Sequence, residues 1–351
     1  MTINFFRKLA QTPGGLVLLA TMSFATVSFD RALLADESQP SARFGVIDRL
    51  DPRIDQLIPA SSKLEKLADG FDWSEGPVWV RDGGYLLFSD IPRNSVMKWK
   101  EGQGATLFLK PSGYTGSGTW GAEPGCNGLL LDKQGRLILC QHGDRRIARL
   151  EKDGSFTTLA DRYQGKRFNS PNDGVFKSNG DLYFTDPPYG LPKNYDDPHR
   201  ELDFCGVYRL SPDGTVTLLT TEMTRPNGIG FSPDEKKLYV AQSDPKAAIW
   251  KVFDVKEDGT LSAGRVFYDV TSWVPSKPGL PDGLKVDRAG NIFATAPGGV
   301  QVFSPDGTLL GGIDTGERTA NCAWGEDGSV LYITADMYLC RIKTSTRGRG
   351  F

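Results

Sequence analysis

Beyond residue 60 the apolar positions come in short runs cut by Gly, Asp and Asn, and no stretch holds a helical period for a useful length. The runs recur as one unit: a polar start with Asn, Asp or Glu near Gly, then an apolar run, a turn, and further β-rich runs. The starts fall at Glu75 (EGPVWV), Asn127 (NGLLLD), Asn172 (NDGVFK), Asn227 (NGIGFS), Asp282 (DGLKVD) and Asn321 (NCAWGE), spaced 52, 45, 55, 55 and 39 residues apart. A four-stranded propeller blade takes roughly 40–50 residues, so the pattern predicts an all-β, six-bladed β-propeller with four-stranded blades over residues 61–351. The second strand of each unit is the plainest: YLLFSD, RLILCQ, DLYFTD, KLYVAQ, NIFATA and VLYITA are short and rich in β-branched or aromatic residues.

The last unit holds three runs only, while an unpaired run, SKLEKLADGF at 62–71, precedes the first. That N-terminal run is expected to supply the outer strand of the last blade and to close the ring, which removes the free edge of an open toroid. Residues 36–60 are polar and Pro-bearing and read as an extension lying on the surface. Before them, Arg7 and Lys8 precede an apolar stretch from Gly14 to Phe29, with Ala35 as a small residue at a cleavage point. Residues 1–35 therefore read as an export signal, too short in its apolar part for the ~18–20 residues of a spanning helix. The expected product is an exported protein, periplasmic or secreted, with no membrane association once the signal is removed.

Composition narrows the chemistry. Lys and Arg number 41 against 43 Asp and Glu, a net charge of -2 that offers no field for nucleic acid. His142 and His199 are the only histidines, too few for a three-His zinc site, and none of the five cysteines is in CxxC spacing. The 41 Gly and 22 Pro residues match a chain built from many turns.

In a propeller the first strand of each blade runs beside the central channel, so the six repeat starts converge on one end of it. Glu75, Asn127, Asn172, Asn227, Asp282 and Asn321 bring carboxylate or amide oxygens to that ring, the composition of a Ca²⁺ site, without thiolate or imidazole. Two segments exceed what a hairpin needs, 111–126 and 187–205, and both are expected to wall the mouth of the site. Asp173, beside Asn172, is a candidate to orient the ligand side chains. No GxSxG elbow is present, which argues against a covalent serine route.

The strings SEGPVW, FNSPNDGV, DLYFTDPPYGL, RPNGIGFSPDEKKLYV and LPDGLKVDRAGNIF resemble the SMP-30/gluconolactonase family from about residue 65 onward. The resemblance implies a divalent metal, calcium first, with Zn²⁺, Mg²⁺ and Mn²⁺ as alternatives, held by Glu75, Asn172, Asn227 and Asp282. It also implies hydrolysis of a small-molecule sugar lactone. Opening a lactone needs a proton delivered to the ring oxygen, and Asp282, touching the ion, is the expected catalytic carrier of it. Ser170 stands where animal members carry Arg, so their substrate contacts do not transfer. The TDPPYG segment instead points to Asp186 and Tyr189 on the substrate side, with Asn127, His142 and Asn321 as further pocket residues. A promiscuous metal-dependent esterase or phosphotriesterase of paraoxonase type, and a non-catalytic propeller binding module, are the competing readings. Oligomeric state is not legible.

Overall fold

The computed structural model describes residues 44–351. The export signal and the first part of the extension lie outside the described residues. Among the described residues no helix is long and apolar enough to cross a membrane. Six antiparallel sheets of four or five strands follow one another along the chain, with a two-stranded ribbon, Arg162–Tyr163 against Lys166–Arg167, between the second and third. Their innermost strands are Ser74–Val80, Cys126–Leu131, Gly174–Phe176, Pro226–Phe231, Leu284–Val286 and Thr319–Gly325. Each meets the next, and the last meets the first, so the sheets form a closed ring of blades. Blades one to four have four strands each in sequence order.

The N-terminal run closes the ring as expected. Glu65–Ala68 pairs with Tyr338–Lys343 as the outer strand of blade six, Glu65 opposite Arg341 and Lys66 opposite Cys340. A covalent start and a covalent end thus share one sheet, and opening the ring would break a ladder of backbone hydrogen bonds.

The apolar core is divided into six layers, one in each seam between neighbouring blades. Leu86, Phe88 and Trp99 of blade one meet Val330, Tyr332 and Leu339 of blade six, for example, and Leu87 and Val96 face Leu129 and Leu139 on the other side. Both faces of most second strands are buried, which is why those strands read as near-continuous apolar runs. All five cysteines are buried and unpaired, with burial pushing their thiols up, Cys126 to about 11 and Cys322 to about 12.

The extension departs from expectation. Residues 44–60 are built into the fold: Val46–Arg49 adds a fifth strand to blade five, against Leu309–Asp314. A single helical turn, Ile54–Leu57, then inserts Ile54 and Ile58 into the seam between blades five and six, both fully buried. Arg49 fastens the turn by donating to the Ile58 carbonyl at 2.8 Å. The polar composition of the segment masked two isoleucines spaced four apart, its two fully buried apolar side chains, with Phe44, Ile47 and Leu57 packed partly buried beside them. Ile54→Ala is expected to cost about 2–4 kcal/mol in urea unfolding, and a loss below about 0.5 kcal/mol would show that the turn is not part of the core.

Candidate functional site

The pairing register slips at the start of four inner strands: between Glu75 and Val78, Cys126 and Leu129, Pro226 and Ile229, and Thr319 and Asn321. A bulge re-aims side chains out of the regular pleat, and Glu75, Asn127 and Asn227 accordingly face a cavity at the axis. The glycines of the motif serve close approach. A Cβ on Gly76, where φ is +50°, would lie 2.0 Å from the Asn127 carbonyl oxygen, and one on Gly228 would lie 2.1 Å from that of Asp282. Hydroxyls of the second strands tie four of the six seams: Ser89 donates to the Asn127 carbonyl at 2.7 Å, Thr185 to Asn227 at 2.8 Å, Thr295 to Ala320 at 2.9 Å, and Ser243 to Pro281.

The cavity, of 460 Å³, is lined by Glu75, Asn127, Asn172, Asn227 and Asp282, one from each of blades one to five. Oδ1 of Asn127, Asn172, Asn227 and Asp282 is buried there with no hydrogen-bond donor. Two of the amides are oriented from behind. Asn227 Nδ2 donates to Ser243 Oγ at 2.9 Å, and Asn172 Nδ2 lies 3.5 Å from His142 Nε2. The amide can only donate, so Nε2 accepts and the His142 proton sits on Nδ1, 3.3 Å from Glu123 Oε2. In both cases the oxygen is left facing the cavity.

Burial, with neighbouring Asp173 adding repulsion, raises the Glu75 carboxyl well above its ordinary range. Asp282 is raised more strongly, by burial and then by Glu75 and Asp173. Buried acceptors without donors are rare and costly. A cation satisfies them all at once, and this set of two carboxylates and three amide oxygens fits a hard divalent ion.

Tyr189 lines the same cavity, its hydroxyl 3.4 Å from the Ser243 carbonyl oxygen. The two long loops meet over the mouth, Trp120 Nε1 donating to the Gly190 carbonyl at 2.7 Å. Four candidate residues lie elsewhere. Asp186 is fully buried off the cavity, where it accepts the backbone N–H groups of Asn169 and Ser170 and is pushed up to about 7 by burial. It braces the segment leading into Asn172 and touches no substrate space, because the strand alternation turns it into the blade. His142 lies behind Asn172 rather than on the wall. Asn321 does not face the mouth: its Nδ2 bridges Glu75 Oε2 at 3.1 Å and Asp173 Oδ2 at 3.3 Å, and it lines a separate cavity further along the inner strands with Asp173 and Lys285. Asp173 supports Glu75 only through that bridge.

Sequence reasoning missed Trp73, Glu123, Ser243, Lys277, Arg318 and Thr319 on the cavity wall. Thr319 and Arg318 stand just before the sixth repeat start, a position that the other repeats already marked. Lys277 belongs to a further insertion, 270–281, whose length beyond a hairpin was the available signal.

Residues 73–336 match the family described as SMP-30/Gluconolactonase/LRE-like region. A gluconolactonase of Zymomonas mobilis subsp. mobilis is 39% identical over 95% of this chain and 96% of its own. A pentonolactonase of Haloferax volcanii is 32% identical over 53% of this chain and 65% of its own. Among solved structures, a gluconolactonase from Xanthomonas campestris superposes with a TM-score of 0.74 at 34% identity, covering 86% of this chain and 95% of that one.

A proton held on Glu75 or Asp282 must leave before a cation binds. Divalent-ion affinity is therefore expected to rise as pH increases from about 5 to 8, with proton release visible as a buffer-dependent calorimetric enthalpy. The sign for stability is opposite: carboxyls raised in the folded state favour the ion-free fold below their unfolded value of about 4, and that contribution is lost as pH rises through the raised values. A Ca²⁺ affinity independent of pH, with no proton release, would exclude the two carboxylates from the site.

Proposed function

We propose, since the chain belongs to the SMP-30/gluconolactonase/LRE-like family, that it is a metal-dependent lactonase that opens a sugar lactone to the aldonic acid. It is an enzyme that hydrolyses carboxylic ester bonds. The observation that carries the metal is the set of four donorless oxygens from four blades around one cavity, with Glu75 as the fifth ligand side chain.

Glu75, Asn172, Asn227 and Asp282 would hold a divalent ion, Ca²⁺ first by the hardness of the donors, and Asn127 places a fifth oxygen within the same cavity. When bound, such an ion supplies Lewis acidity that polarises the lactone carbonyl and favours ionisation of water. The protein's own groups do the rest. The reaction adds water to the acyl carbon, breaks the bond between that carbon and the ring oxygen, and delivers a proton to the departing oxygen. Asp282 is placed to take the proton from water and return it to the ring oxygen, since its carboxyl lines the cavity and its Oδ1 is free of donors. Tyr189 and Trp73 give the sugar ring a wall on which to lie. Export to the periplasm or beyond belongs to the same proposal, on the N-terminal signal pattern alone.

Asp282→Asn is expected to keep the fold by circular dichroism and to lower kcat on gluconolactone by about 10²–10⁴; activity within about threefold of wild type would remove the proton role. Glu75→Gln is expected to weaken Ca²⁺ binding by at least about tenfold. An aryl ester or phosphotriester turned over faster than any sugar lactone would favour the esterase reading.

A further inference from the structure

Two cations stand on the cavity wall without a role in the lactonase chemistry. Lys277 comes from the insertion ahead of blade five and Arg318 from the turn ahead of blade six, and both line the cavity that holds Glu75 and Asp282. Both are exposed. Among the described residues neither has a carboxylate within 4.0 Å, whereas Lys251, Arg146 and Arg341 elsewhere on the ring are paired.

Lys277 is also held in place. Its stem crosses Gly298, where a Cβ would come within 2.8 Å of Lys277 Cδ, and its ammonium lies 5.2 Å from the centre of the Trp273 ring. The segment carrying it is pinned to the same hairpin, Gly298 N donating to the Pro278 carbonyl at 2.9 Å. Gly298 is required by its own backbone, with φ at +84°, and the absence of a side chain there leaves room for the Lys277 stem.

The charge pattern of the cavity is therefore divided. The ring carboxylates Glu75 and Asp282 match a divalent ion, and Glu123 faces His142 on the wall from the 111–126 loop. The positive charges of Lys277 and Arg318 remain without a partner at the rim. A neutral sugar lactone offers them only hydroxyl groups. A lactone that bears an acidic group away from its ester offers a charge-assisted contact to each.

We infer that the site selects sugar lactones carrying an anionic substituent, a carboxylate or a phosphate, which Lys277 and Arg318 receive at the rim. This rests on the lactonase reading above and adds the substrate class. The two sources of negative charge share one chemistry, so the experiment includes both. Values of kcat/KM are measured for gluconolactone, phosphogluconolactone and glucarolactone with the wild type, Lys277→Gln, Arg318→Gln and the double variant, in low salt and in about 1 M salt, where the screening length is about 3 Å.

The expected result is a preference of about tenfold or more for at least one anionic lactone, the sum of two partly exposed charge contacts. That preference is expected to fall several-fold in each single variant, to vanish in the double variant and to shrink in high salt, while any change on gluconolactone is smaller. Which anionic lactone is preferred decides between carboxylate and phosphate. Equal or better turnover of gluconolactone by the wild type overturns the inference and leaves the lactonase reading intact, as does a double variant that loses the same factor on all three substrates. Failure to hydrolyse any of the three with Ca²⁺ present, while an aryl ester is cleaved, overturns the lactonase reading and the inference with it.

Discussion

The inner strands of six blades have to pass one another around a single axis with almost no room between them. At Gly76 and Gly228 the neighbouring backbone is so near that a single methyl group would overlap a carbonyl oxygen. That crowding fixes much else. Glycine becomes obligatory beside the repeat start, the residue before it is forced out of the pleat by a bulge, and the preceding blade supplies a hydroxyl to the exposed carbonyl. The recurring Asn-Gly and Asp-Gly pairs look like ordinary turn chemistry, yet here they are the packing solution for an annulus.

The same geometry creates an electrostatic demand. Side chains pressed toward the axis lose water, and those with donors are satisfied from behind: Asn227 by Ser243, Asn172 by His142. Their oxygens are left facing inward, and two buried carboxylates join them. In the absence of a cation such an arrangement costs stability. The fold tolerates it because the ring is held elsewhere, by six separate apolar seams and by a strand that latches the first segment of the propeller to the last.

This division explains what the sequence disclosed. Blade number, ring closure and the cavity-lining set Glu75, Asn127, Asn172, Asn227 and Asp282 follow from repetition, since each repeat start sits in an equivalent place. Asn321 breaks the equivalence. It occupies a repeat start, but its side chain turns along the axis to bridge Glu75 and Asp173, a choice made by partners 246 and 148 residues away in sequence. Asp186 misled for a related reason: the TDPPYG string marks the loop correctly, but Asp186 is the last residue of its strand and turns into the blade, while Tyr189, beyond the strand end, reaches the cavity. Arg318 stands just ahead of the sixth repeat start and Lys277 in an insertion ahead of the fifth, and which of their side chains reach the cavity is decided by the fold.

Charge balance at the axis also accounts for the third buried carboxylate. Asp173 would give the ring an excess negative charge, and it raises both Glu75 and Asp282. Lys285, one residue into the inner strand of blade five, brings its ammonium to 4.0 Å from Asp173 Oδ2 and 3.3 Å from Asn321 Oδ1. With Asp173 offset by Lys285, the carboxylates left in the ring of repeat starts on the cavity are Glu75 and Asp282. Two negative charges and three neutral amide oxygens suit a divalent ion better than a monovalent one. Neutralising Asp173 from the far side keeps that balance without bringing the Lys285 ammonium among the ring oxygens. The lysine therefore belongs to the design of the ring as much as the ligands do, although it lines a different cavity.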